Sequence, residues 1–161
     1  MAMAPWYERA RLLYAAIEKA SFSLKRSIDR LELVDNKILF QAGTKNLTIT
    51  YRYVDNVMPG PGSFQLDGEH FRRPEVPTGR PSWYVRSILL YAAIRQATFD
   101  LQEPVDGAEV TPGAVLSWLP RAGRVRCWTG AKQQTMRYRY LAERGLFGPR
   151  QLFLDDEEIT D

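Results

Sequence analysis

The sequence predicts an α+β fold made by tandem duplication, in which a helix followed by a three-stranded antiparallel meander (αβββ) occurs twice about an approximate two-fold axis. Residues 6–24 read WYERARLLYAAIEKASFSL and residues 83–101 read WYVRSILLYAAIRQATFDL, identical at 12 of 19 positions at a constant offset of 77. Further along, NKILFQAGTKNLTITYRY at 36–53 aligns with GRVRCWTGAKQQTMRYRY at 123–140 at an offset of 87. All eight tyrosines then fall into pairs, Tyr7 with Tyr84, Tyr14 with Tyr91, Tyr51 with Tyr138 and Tyr53 with Tyr140. Two amphipathic helices can share Leu and Ala by chance, but not every tyrosine of helix and strand alike. Self-similarity of this kind marks repeated structural units, and fusing a homodimer into one chain yields a two-fold.

The repeat divides the chain into copy 1 (1–69), a linker (70–82), copy 2 (83–157) and an acidic tail (158–161), together one compact pseudo-dimeric domain. The linker HFRRPEVPTGRPS has three prolines and a glycine, as a spacer should. The change of offset places ten extra residues of copy 2 near 102–111 (QEPVDGAEVT), expected to bulge from the repeat.

In copy 1, Trp6, Leu13, Ile17, Ala20, Leu24 and Ile28 recur at helical spacing and mark one long apolar face, opened by Pro5. Helix 2 follows Pro81, with Ser82 as its expected N-cap, and stops before Pro104. Val85 and Ile88 stand where helix 1 has Glu8 and Arg11, so helix 2 is expected to be the more buried. Thr111-Pro112 signals a short helix over 111–119, whose Val115 and Trp118 align with Ile28 and Leu31, the apolar residues by which copy 1 is expected to extend its long helix. Ile38 and Phe40, then Leu47, Ile49, Tyr51 and Tyr53, alternate with polar residues as strands do, and a third strand is expected near 63–67 after the Pro59–Gly62 turn. Residues 132–145 of copy 2 take strand by alignment to copy 1.

A chain of 161 residues with 45% hydrophobic and 25% charged residues can bury a core without disulfides or metal. The absence of a long apolar run or an opening secretory signal argues against a membrane span, and the single cysteine, Cys127, suits a reducing, cytoplasmic setting. Cys127 reads as a buried small hydrophobe. A single histidine, His70, excludes paired-histidine metal sites and leaves triad chemistry without partners, so no catalytic residue, cofactor or metal is assigned.

The net charge of +3 conceals an asymmetry: residues 121–150 hold eight bases and one acid, while 155–161 hold five acids. Within the basic segment, alternation puts Arg124, Arg126 and Trp128 on one side of a strand and Arg137 and Arg139 on the matching side of the next, with Lys132 between. Copy 1 has Lys37, Leu39, Gln41, Thr50 and Arg52 at the equivalent positions. Arginines interleaved with an aromatic suit single-stranded DNA or RNA, in which charge tracks the backbone and rings stack on bases. The expected nucleic-acid-binding residues are therefore Arg124, Arg126, Trp128, Lys132, Arg137 and Arg139, in a non-enzymatic accessory protein of the kind common on mobile elements. Arg and Trp are also enriched at protein interfaces, so the alternatives are a scaffold subunit, including a homo-oligomer, and, more remotely, an enzyme acting on an anionic small molecule. The acidic tail is expected to compete for the arginine face.

Overall fold

The computed structural model describes residues 5–54, 63–72, 74–79, 81–113, 121–141 and 151–159. It is α+β, with two helices and one ten-stranded antiparallel sheet. Helix α1 (Pro5–Leu24) is followed by β1 (Arg30–Val34), β2 (Lys37–Ala42), β3 (Lys45–Val54), β4 (Ser63–Leu66) and β5 (Glu69–His70). Helix α2 (Ser82–Leu101) is followed by β6 (Gly107–Pro112), β7 (Arg121–Trp128), β8 (Gln133–Leu141), β9 (Gln151–Leu154) and β10 (Glu157–Glu158). The strand order β10-β9-β8-β7-β6-β1-β2-β3-β4-β5 reads the same way outward from the central β1–β6 pair.

Each helix thus leads five strands rather than the three expected. The expected long first helix ends at Leu24, where Lys25 turns left-handed (φ 51°) and donates its N–H to the Ser21 carbonyl. Gln102, 77 residues on, does the same to Thr98 with φ 53°. Ile28 and Leu31 are buried as expected, but Leu31 is buried as a strand residue, because a three-residue spacing of apolar residues does not distinguish a helix from a loop leading into a strand. The second correction follows from the first. Residues 107–112 are not a bulge but β6, which pairs with β1 in the middle of the sheet through Leu31↔Ala108 and its neighbours. The offset of 77 continues through Asp29/Asp106 and Leu31/Ala108, so the extra residues belong to the β6–β7 connection. Thr111 and Pro112 lie in β6, and the rest of the expected 111–119 helix lies outside the described residues, apart from Gly113. Ser82 begins α2 but does not cap it: Pro81 holds that position, and its carbonyl accepts from Tyr84 and Val85. Glu157–Glu158 of the expected acidic end form the edge strand β10, and Ile159 packs against the core.

Both helices lie on one face of the sheet, α1 over β2 and β3, and α2 over β7, β8 and β9. Leu12, Leu13, Ile17, Leu89, Leu90 and Ile94 are fully buried, in one cluster with Ile38, Phe40, Ile49, Val125, Cys127 and Met136 of the strands. Each such side chain contributes roughly 1.5–3 kcal/mol by leaving water. Val85 and Ile88 are buried as expected, whereas Glu8 and Arg11 are half-buried.

Contacts between the two halves come in reciprocal sets. Trp6 meets Phe99 edge-on at 5.3 Å, and Phe22 meets Trp83 at 5.1 Å. Arg9 of α1 pairs with Asp106 before β6 at 2.9 Å, and Arg86 of α2 pairs with Asp29 before β1 at 3.1 Å. Tyr14 and Tyr91 meet each other at 5.5 Å between the helices. Asp67 and Asp155 each turn left-handed after their strand and accept the backbone N–H of Thr50 and of Arg137 respectively.

Candidate nucleic-acid interface

The helices fix which side chains the sheet turns outward. Val125, Cys127, Met136 and Tyr138 point into the core, so their neighbours Arg124, Arg126, Trp128, Arg137 and Arg139 stand on the opposite face, where the described residues include no helix. Five of the six residues expected from the sequence therefore share one surface. Lys132 does not join them: it lies in the β7–β8 turn and pairs with Glu103, in the loop after α2, at 3.3 Å. The paired tyrosines 51/53 and 138/140 alternate in phase with core residues, so they add no stacking platform to the arginine face.

Arg124 of β7 stands directly opposite Arg137 of β8. Arg137 directs both its N–H and its carbonyl away from β7, to the side chain and backbone N–H of Asp155. The Arg124–Arg137 pair is therefore of the non-hydrogen-bonded kind, in which side chains stand closest, and like charges placed so oppose folding. Among the described residues the guanidinium of Arg137 pairs with Asp156 at 3.6 Å, with both side chains about three-quarters exposed. Among the described residues Arg124 makes no ion pair. Arg139, opposite Ala122 and Phe153, lies over the Phe153 ring at 4.7 Å. The same places in copy 1 are held by Lys37 opposite Thr50, with no like-charge pair.

Towards the sheet centre the surface changes character. Trp128 pairs with Gly107 of β6, and its indole lies across that glycine: a Cβ there would come within 2.3 Å of Cζ2 and 2.8 Å of the Leu31 carbonyl. The guanidinium groups of Arg30 and Arg126 sit over the ring, 5.0 and 5.1 Å from its centroid. Arg30 donates to Glu109 at 2.7 Å and to Glu32 at 3.2 Å, and these bonds push its pKa further up. Arg126 reaches the other Glu109 oxygen at 3.8 Å. Trp128 is therefore not the bare ring that alternation suggested but the support of two guanidinium planes. Arg30, Glu32 and Glu109 were missed because 28–31 read as helix and 102–111 as an insertion. No local signal separates those readings, since only the β1–β6 pairing brings the three residues to Trp128.

Burial pushes the Cys127 thiol up to about 12, so it is neutral and unreactive, in keeping with the expected small hydrophobe. Among the described residues no three or more His, Cys, Asp or Glu gather as a metal would need, and no helix is long and apolar enough to cross a membrane. Comparison with protein-family models, with curated proteins and with solved structures returns no significant match.

Proposed function

We propose that the protein is a non-enzymatic, single-strand nucleic-acid-binding protein. In this reading it is a duplicated chain with an approximate two-fold, and its second copy carries the binding face. The reciprocal contacts between the halves and the palindromic strand order support the duplication, with αβββββ rather than αβββ as the unit. The binding reading rests on one observation above all: two arginines face each other across adjacent strands in the close, non-hydrogen-bonded geometry, where copy 1 has Lys37 and Thr50. An arrangement that works against folding is accounted for by a polyanion that neutralises it. The exposed Arg124, Arg137 and Arg139 of the sheet face away from the helices suit a splayed single strand.

The test is oligonucleotide binding by wild type and by the Arg124→Glu/Arg139→Glu double variant. The expected result is binding by wild type and a loss of more than about tenfold in the variant for every sequence alike, because phosphate contacts position without specifying. A protein partner is the rival occupant. It predicts no oligonucleotide affinity in either protein, and loss of a stoichiometric protein complex in the variant.

A further inference from the structure

We infer that the Trp128 centre is a base-reading site that favours bases carrying an exocyclic amino group over those without one. The inference rests on the nucleic-acid reading and adds sequence preference to it. Arg30 is held on three sides: Glu109 at 2.7 Å, Glu32 at 3.2 Å, and the Trp128 ring 5.0 Å beneath. Its side chain is nevertheless 37% exposed, which leaves an immobilised guanidinium plane for a base to stack on, as unpaired bases do on arginine. Glu32 and Glu109 border that plane and remain 39% and 34% exposed.

A carboxylate accepts from up to about four directions, so the bonds to Arg30 do not exhaust these two groups. What they can still do is accept. Cytosine and adenine offer an amino group with two N–H donors to such acceptors, while the one ring N–H of an unpaired uracil or thymine is flanked by two carbonyl oxygens, which carboxylates repel. The centre also carries two cations and two anions, Arg30, Arg126, Glu32 and Glu109, in contrast to the net positive Arg124–Arg137–Arg139 patch beside it. The two areas divide the work: the outer patch holds the phosphates and the neutral centre reads a base.

The experiment compares short oligocytidylate, oligoadenylate and oligouridylate of equal length on the intact chain. The expected result is that cytidylate and adenylate bind roughly tenfold more tightly than uridylate. Replacing Glu109→Ala should bring that ratio close to one. Glu32→Ala, on a different strand, should also lower the ratio and serves if the first variant fails to fold. Equal affinity for all three in wild type overturns base reading while leaving nucleic-acid binding standing. So does a Glu109→Ala protein that loses affinity for all three in proportion, since the carboxylate then only positions Arg30. Absence of binding to any of them overturns both readings.

Discussion

At the scale of single residues, Arg137 shows a conflict between stability and the proposed function. It faces Arg124 at close range, and its counterpart in copy 1 is Thr50, a good strand former facing Lys37. Replacing Arg137→Thr is expected to raise unfolding free energy by about 0.2–1 kcal/mol in denaturant titration, while weakening oligonucleotide affinity. A variant that is less stable would show that the arginine pair does not oppose folding. One buried and one half-buried acid make a second test. Cys127 is pushed from 9.0 up to about 12 and Tyr14 from 10.0 up to about 12, both chiefly by desolvation. Since both native pKa values lie above the unfolded ones, the unfolded chain loses these protons first as pH rises. Stability should be unaffected by them below about pH 9 and fall through the interval up to about 12, by about 1.4 kcal/mol per pH unit for Cys127 once it ionises in the unfolded state, and by less for the more solvent-screened Tyr14. Thermal melts across that range check the slope, and Cys127→Ala should remove the part that begins near pH 9. Of the residues at the candidate site, those on one strand pair were legible because alternation alone fixes their face. Arg30, Glu32 and Glu109 were not, since strands distant in sequence bring them together.

At the scale of elements, the helices and most of the strands could be read from the repeat, and the errors cluster where the two halves join. Helix α1 was drawn too long because Ile28 and Leu31 keep an apolar spacing beyond the left-handed turn at Lys25. That error hid β1, and hiding β1 made its partner β6 look like inserted chain. Edge strands β5 and β10 contain two residues each and carry no periodicity. The helix face itself is sound: Leu90 is fully buried at the centre of α2. Leu90→Ala should cost about 2–5 kcal/mol, and an unmoved denaturation curve would mean that the core is assigned to the wrong face.

At the scale of the whole molecule, the sheet separates two environments. Its helix-covered face buries the apolar residues of both halves in one cluster, and its other face carries Arg124, Arg126, Arg137 and Arg139. The reciprocal pairs Arg9–Asp106 and Arg86–Asp29 tie each helix to the strand entry of the opposite half. Among the described residues the close Arg124–Arg137 pair has no like-charge counterpart at Lys37 and Thr50, and that difference is what the proposed function depends on. Its most direct test is the salt dependence of single-stranded oligonucleotide affinity, followed by fluorescence anisotropy. Three arginines, Arg124, Arg137 and Arg139, each neutralising one phosphate, give an expected slope of log affinity against log salt near about −2, or a weakening of about 20-fold between about 50 and 200 mM salt. A slope indistinguishable from zero, or no binding at the lowest salt, would contradict the account.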